Sequence, residues 1–242
     1  MTHPIYAIGD IHGQIDMLHH ALELIHADGG PDAHVVFLGD YVDRGPDSRA
    51  VVQTLIDGVA EGCNWVTLKG NHDRYLSRFL DAKIVNDSRT RHDLMWLNPR
   101  LGGDKTLASY GVPALDGDPI DPIHVAALES VPDAHRRFLT DLPLTHATED
   151  HLFVHAGIRP GIALADQVED DLIWIRNGFL DDPRDHGRLV VHGHTALDAA
   201  QHFGNRVDLD GGAGFGRPLT TAVFDQNRVW VLENRGRIPL IP

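Results

Sequence analysis

The sequence predicts an α/β fold in which two sheets pack together and a mostly helical cap is inserted at about 81–141. Three observations carry this. Over the first third of the chain, short apolar runs alternate with segments of helical period, which implies parallel strand pairing. The pattern then turns helical, broken by Asn98-Pro99, Gly102-Gly103 and Asp116-Gly117-Asp118-Pro119. Strand-like runs return from His151 onward. The 242 residues suit one large domain with a core of useful size, so 1–242 reads as one unit carrying the insertion.

The elements follow in order. Ile5 to Ile8 is a buried strand, and Gln14 to Ala27 is a helix with Ile15, Leu18, Leu22 and Ile25 at helical spacing. Gly29-Gly30-Pro31 breaks it. Val35 to Leu38 is the second strand, and Ser48 to Glu61 is a helix capped by Gly62. Trp65 to Leu68 is the third strand, and Arg74 to Leu80 starts another helix. In the insertion, Asp121-Pro122 marks a helix start and Asp133 to Leu139 continues as helix. The segment reads equally as a wall over a site or as a structural lobe. The strands that follow are His151 to Val154, Leu189 to Val191, Arg206 to Leu209, Leu219 to Phe224 and Arg228 to Leu232. Asp225-Gln226-Asn227 is a hairpin signal, and the later strands are expected to form the second sheet.

Composition narrows the partners. The net charge of −14 argues against a basic face for a nucleic-acid polymer. An acidic chain that handles phosphate needs local positive charge, from Arg or bound metal. The single Cys63 excludes an intrachain disulfide, fits a cytoplasmic home and reads as a buried structural thiol. No apolar stretch approaches membrane-spanning length, and no signal peptide precedes Ile5. There are 17 His, a mild pointer to metal; His3, His19, His20, His26, His34, His92, His124 and His202 read as surface residues.

The chemistry lies where apolar runs end. Gly9-Asp10-Ile11-His12-Gly13, Gly39-Asp40-Tyr41-Val42-Asp43-Arg44-Gly45 and Gly70-Asn71-His72-Asp73 each follow a strand, at the carboxyl ends where α/β sites gather. Asp10 and His12, one residue apart, can reach one ion from a turn. Asp40 stands at the matching place on the next strand and can bridge two ions. Asn71 offers an amide oxygen, and His155 and His194, at the ends of later strands, offer imidazole nitrogens. Mixed N and O donors without thiolate suit Mn, Fe or Zn. Two such ions about 3.5–4 Å apart form the usual clamp for phosphate-ester hydrolysis. With a bridging hydroxide, the site would keep a net charge of about +1 and attract phosphate.

These motifs resemble the phosphoprotein phosphatase family of calcineurin-like metallophosphoesterases, in its bacterial serine/threonine protein phosphatase branch. Gly9 to Gly13, Gly39 to Gly45 and Leu68 to Asp73 match the family's three signatures in order and at close to the usual spacing. Val154-His155-Ala156-Gly157, Gly193-His194-Thr195 and Trp174-Ile175-Arg176 match later ones. The resemblance runs from Gly9 to Thr195. It implies a sandwich of two mixed sheets flanked by helices, and two divalent ions, with manganese first and iron or zinc as alternatives. Asp10, His12 and Asp40 would hold one ion; Asp40, Asn71, His155 and His194 the other. Arg44 and Arg176 would grip phosphate. His72 would be the general acid, oriented and favoured in its charged form by Asp43. A hydroxide bridging the ions would attack in line.

Blander readings stand beside these. Asp10 and Asp40 are also acceptable helix N-caps. Asp43 can pair with Arg44 on the surface, and Arg176 with Asp170 or Asp171. His192, two residues before His194, reads as packing or a substrate contact rather than a ligand. Asp73 stands where the family usually has Glu; it either alters a contact behind the site or serves the first turn of a helix. Ala196 follows Thr195 where Pro is common, and Asp210-Gly211-Gly212-Ala213 replaces a usual Asp-Thr-Gly-Ala. The expected substrate is a phosphoprotein or small phosphate ester. Hydrolysis of dinucleoside polyphosphates or other nucleotides is the rival reading, although relatives that cleave dinucleoside tetraphosphates usually lack Asp at the position of Asp43. A catalytically inactive binding module is the remaining alternative.

Overall fold

The computed structural model describes residues 3–242. The first half alternates as expected: β1 (Ile5–Ile8), α1 (Ile15–Gly29), β2 (His34–Phe37), α2 (Ser48–Ala60), β3 (Trp65–Thr67) and α3 (Asn71–Ala82). The insertion holds α4 (Gly103–Ser109), α5 (Ile120–Ser130) and α6 (Asp133–Asp141). Then come β4 (Thr145–Ala147), β5 (His151–Val154), α7 (Glu169–Trp174), β6 (Leu189–His192), β7 (Gln201–His202) and β8 (Arg206–Asp208). The chain ends in β9 (Thr221–Asp225), β10 (Arg228–Glu233) and β11 (Gly236–Pro239).

Two mixed sheets result, ordered β11-β10-β9-β1-β2-β3 and β4-β5-β6-β8-β7. Side-chain alternation assigns their faces. Ala7, Val36, Ala222 and Phe224 of the first sheet meet Phe153, Val191 and Val207 of the second in one buried layer. Tyr6, Ile8, Val35 and Phe37 point the other way, into a core shared with α1, α2 and α3. On the far side, Leu152, Val154 and Val190 pack against Leu172 and Ile173 of α7.

One expectation is corrected. The strands after His151 do not all join the second sheet: β9 lies antiparallel beside β1, with β10 and β11 beyond it. Ala222 and Phe224 enter the layer between the sheets, while Val223 enters the helical core. A strand buried on both faces belongs in the middle of a sheet.

Residues 81–141 carry helices, and among the described residues their apolar side chains form no cluster of their own. Trp96, Leu107, Tyr110, Ile123 and Leu139 join the cluster built on α1 to α3. Residues 83–102 contain no helix or strand. Helix α3 begins at Asn71, earlier than the apolar periodicity indicates, so Asn71, His72 and Asp73 form its first turn. Cys63 is only partly buried, since it lies on the loop before β3 rather than in it. Among the surface histidines, His34, His124 and His202 are half-buried instead. Among the described residues, no helix is long and apolar enough to cross a membrane.

Candidate active site

The parallel register of β1, β2 and β3 pairs Ile8 with Phe37 and Phe37 with Thr67. The loops after these strands therefore open side by side at one edge. Asp40 O accepts from Ile11 N (3.1 Å) and His12 N (2.8 Å), which locks the first loop to the second. From the other sheet, Gly193 N donates to His155 O at 2.8 Å. His194 N lies 3.1 and 3.2 Å from the two oxygens of Asp10. Backbone strain gathers here: His12, Asp40, Asp43, Arg44 and His194 all adopt positive φ, between 50° and 74°. Such residues persist only where their surroundings over-determine them.

Gly70 and Gly193 allow the close approach. A Cβ on Gly70 would lie 2.1 Å from Asp40 Oδ1, and one on Gly193 would lie 2.0 Å from Asp10 Oδ1.

The buried donors converge on Asp40. Its Oδ2 lies 3.6 Å from His12 Nε2, and its Oδ1 lies 3.4 Å from His155 Nε2. Donor atoms of His12, Asp40 and His72 lie within 4.8 Å of one another, as do those of Asp40, His155 and His194. His12 Nδ1 donates to Val42 O (2.8 Å) and His155 Nδ1 donates to Leu38 O (2.9 Å). A neutral ring pinned in this way directs its Nε2 lone pair inward. Burial lowers the pKa of His12 and His194 well below the usual range, and that of His155 to about 4, so all three stay neutral.

Two of the Nε2 atoms meet no donor. His155 Nε2 sits 3.0 Å from Asn71 Oδ1, and His194 Nε2 is buried without a partner. Burial also raises the carboxyls of Asp10 and Asp40, the latter to about 7, with neighbouring carboxylates adding to the shift. Neutral imidazoles and crowded carboxylates turned toward one another are what a divalent cation accommodates, so the donor set fits a metal. Asp10 stands outside both three-residue groups, behind His194.

His72 lies buried beside this cluster. Its Nδ1 donates to Asp43 Oδ2 at 2.7 Å, and its Nε2 accepts from Arg44 Nη2 at 3.0 Å. Asp43 is not a surface partner of Arg44. It is fully buried and also accepts from Trp96 Nε1 (2.9 Å) and Thr106 Oγ1 (2.6 Å). In the chain by itself, burial, and then the facing Arg44, push the imidazole pKa of His72 well below its usual value, opposite to the direction expected from Asp43. Asp43 fixes the tautomer instead.

Arg44 also reaches His12 Nε2 with its other terminal nitrogen. Arg176 does not pair with Asp170 or Asp171, which bind Arg74, Arg89 and Arg159. Its Nη2 donates to His194 O at 3.0 Å. Burial lowers its pKa, and the charges of Asp40, Asp10 and Asp210 oppose that shift. His192 is buried and already satisfied, donating to Gly193 O and accepting from Arg206.

Sequence reasoning missed Trp96 and Thr106, which lie in the insertion and carry no motif. It underrated Asp73, a buried residue whose carboxylate accepts three backbone N–H groups.

Comparison with known proteins adds the following. The profile of the family described as calcineurin-like phosphoesterase matches residues 3–210. A serine/threonine-protein phosphatase 1 from Salmonella typhimurium is 28% identical over 229 residues, covering 90% of each chain. A symmetrical bis(5'-nucleosyl)-tetraphosphatase from a Janthinobacterium species is 34% identical over 163 residues. That match covers 67% of this chain but only 47% of the relative. The fold matches a crystal structure of a putative diadenosine tetraphosphatase with a TM-score of 0.64 and 21% identity, covering 100% of this chain and 95% of that one. It also matches a cold-active protein-tyrosine phosphatase of a psychrophile Shewanella species at TM-score 0.64 and 15% identity, covering 100% and 81%. The buried His and Asp donors thus lie on a fold and in a sequence that both point one way: the chain belongs to the calcineurin-like phosphoesterase family.

Proposed function

We propose that this chain is a metal-dependent phosphomonoesterase, and specifically a protein serine/threonine phosphatase. The observation that carries the reading is the Asp43–His72 pair, 2.7 Å apart, beside a cluster of inward-facing lone pairs around Asp40. We assign Asp10, His12, Asp40, Asn71, His155 and His194 as ligands of two divalent ions, with manganese as the first choice. When bound, such ions lower the pKa of coordinated water and offset phosphate charge.

The chain's own residues do the rest. Arg44 bonds two neutral imidazoles, an arrangement it can exchange for the oxygens of a phosphate, which it would grip with Arg176. That exchange frees His72 Nε2. With Arg44 moved onto the phosphate, Nε2 can take up a proton from solvent while Nδ1–H stays anchored on Asp43. The Nε2 proton of this imidazolium points toward the leaving oxygen, and His72 delivers it as the ester bond breaks. Burial of the pair keeps competing water away. The insertion 81–141 contributes through Trp96 and Thr106, which hold Asp43 from the opposite side. We place the protein in the cytoplasm, as its single Cys suggests.

Coverage of both chains by the serine/threonine phosphatase relative supports the protein substrate. The tetraphosphatase relatives support a second reading, hydrolysis of dinucleoside polyphosphates. The deciding experiment supplies manganese to the purified protein and compares a phosphoserine peptide with a dinucleoside tetraphosphate. The first reading expects turnover of the peptide; turnover of the dinucleotide alone overturns it.

A further inference from the structure

Phe215 is an aromatic side chain that the core does not use: it is 62% exposed. Its backbone, by contrast, is tightly held. Ala213–Phe215 form one 3-10 turn between Gly212 and Gly216, whose φ values are 85° and 81°. Gly214 is pressed onto the site, since a Cβ there would lie 2.5 Å from His12 Cδ2 and 3.0 Å from Arg44 Cδ. Gln14 Nε2 donates to Ala213 O at 3.1 Å. The backbone that carries the ring is therefore fixed beside Arg44, while much of the ring's surface stays open.

Its neighbours are cations. The Arg44 guanidinium carbon lies 4.9 Å from the ring centroid, and that of Arg217 lies 6.0 Å away. The terminal nitrogens of Arg44 are those that reach His12 and His72. One guanidinium thus separates the exposed ring from the buried donor cluster. A rigid aromatic surface offers contact area at low entropy cost, and ring stacking tolerates many partners because every ring has a π-face.

We propose that Phe215 sets substrate preference by packing against a planar aromatic group of the phosphate ester whose phosphate Arg44 holds. This rests on the metal-dependent phosphomonoesterase reading above and departs from its serine/threonine choice, since phosphoserine and phosphothreonine carry no ring. The favoured esters carry a ring close to phosphorus, and short alkyl esters gain nothing from the contact. The ring can be the phenyl group of a phosphotyrosine or the base of a nucleotide, which share the same stacking chemistry.

The test uses manganese-loaded protein and two ligands that are not hydrolysed, phenylphosphonate and methylphosphonate, measured by calorimetry. Wild-type protein is expected to bind the phenyl compound about 3- to 10-fold more tightly. Phe215→Ala should remove that ratio and Phe215→Trp should keep it. Turnover of a phosphotyrosine peptide, the phosphoserine peptide of the same sequence and AMP then identifies the source of the ring. A KM increase in Phe215→Ala confined to the phosphotyrosine peptide assigns the phenyl group, and one confined to AMP assigns the base. An unchanged phosphonate ratio in Phe215→Ala overturns the proposal. Equal losses for both phosphonates also overturn it, because Phe215 then only buttresses Arg44. If none of the three esters is hydrolysed but the phosphonate ratio behaves as expected, the hydrolase reading fails and the ring contact stands.

Discussion

Asp73 Oδ2 accepts the backbone N–H of Asp40 at 2.8 Å, while Asp40 Oδ1 accepts the backbone N–H of His72 at 2.9 Å. Each carboxylate holds the backbone of the other's segment. Asp73 also accepts from Tyr41 N (2.9 Å) and Gly70 N (2.9 Å). The loop after β2 and the first turn of α3 are thereby interlocked, and Asp40 is kept at a φ of 54°. The bond to Gly70 is half of a capping box; glycine has no side chain to complete it.

Replacing Asp73 tests this interlock. Asp73→Asn keeps the shape but turns an NH2 group toward backbone donors. Leaving such buried groups unpaired costs about 1–3 kcal/mol. For a chain of this size the melting temperature should fall by about 2–10 °C. Manganese affinity should fall as well, because Asp40 loses its backbone anchor. Calorimetric melting and metal titration measure the two effects. Unchanged affinity in a destabilised variant would reduce Asp73 to a helix-capping role.

Metal and pH should act together. Burial raises Asp40 from 3.8 to about 7. The sign follows from linkage: a carboxyl raised in the folded state gives stability that is present below the unfolded value and lost as pH rises through the folded one. The share that Asp40 contributes to the metal-free protein should therefore fade between about pH 4 and pH 7, against the opposite contribution of the depressed imidazoles of His12, His155 and His194, so Asp40→Asn is the reference. Cation binding needs the ionised carboxylate, so its stabilisation should grow over the same window. At about 100-fold excess over the dissociation constant it should reach about 2.7 kcal/mol. Melting curves with manganese or with EDTA, from pH 5 to pH 8, read this directly. A manganese increment larger at pH 5 would contradict the assignment of Asp40.

His72 and Asp43 should affect leaving groups unequally. His72→Asn should lower kcat for a phosphoserine peptide by about 10²- to 10⁴-fold. The loss should be much smaller for p-nitrophenyl phosphate, whose leaving oxygen needs little protonation. Asp43→Asn should act in the same direction, because its amide would meet the donors of Trp96 and Thr106 and no longer hold one His72 tautomer. The dependence of rate on leaving-group pKa measures this. Equal losses across the series would remove His72 from the role of proton donor.

The candidate ligands were legible because glycine, strand end and polar donor fall together within a few residues. Asp10, Asp40 and Asn71 carry that local signal, and the structure brings them to one edge. Trp96 and Thr106 were not legible, since their bonds to Asp43 span 53 and 63 positions. The place of β9 depends on Ala222, Val223 and Phe224 being buried on both faces, which a short apolar run does not announce. Arg176 had acidic neighbours in sequence, yet Arg74, Arg89 and Arg159 occupy them in space. Local chemistry was readable; competition among distant partners was not.

Alkaline titration offers a check on the core that is independent of the site. All four tyrosines, Tyr6, Tyr41, Tyr75 and Tyr110, are raised above 10.0, chiefly by burial, with Tyr6 and Tyr75 reaching about 12. Tyr6 is held further by its bond to Asp28 (2.6 Å), itself paired with Arg237. Raised folded values give stability that is complete below pH 10.0 and lost as pH climbs toward 12. Phenolate absorbance at about 295 nm should therefore stay low near the ordinary tyrosine pKa of about 10 and rise together with the loss of circular dichroism. Tyr6→Phe, which removes one raised phenol, should shift that joint transition to higher pH. A phenolate signal appearing near pH 10 in a fully folded chain would mean that these rings are far more open to water than their packing indicates.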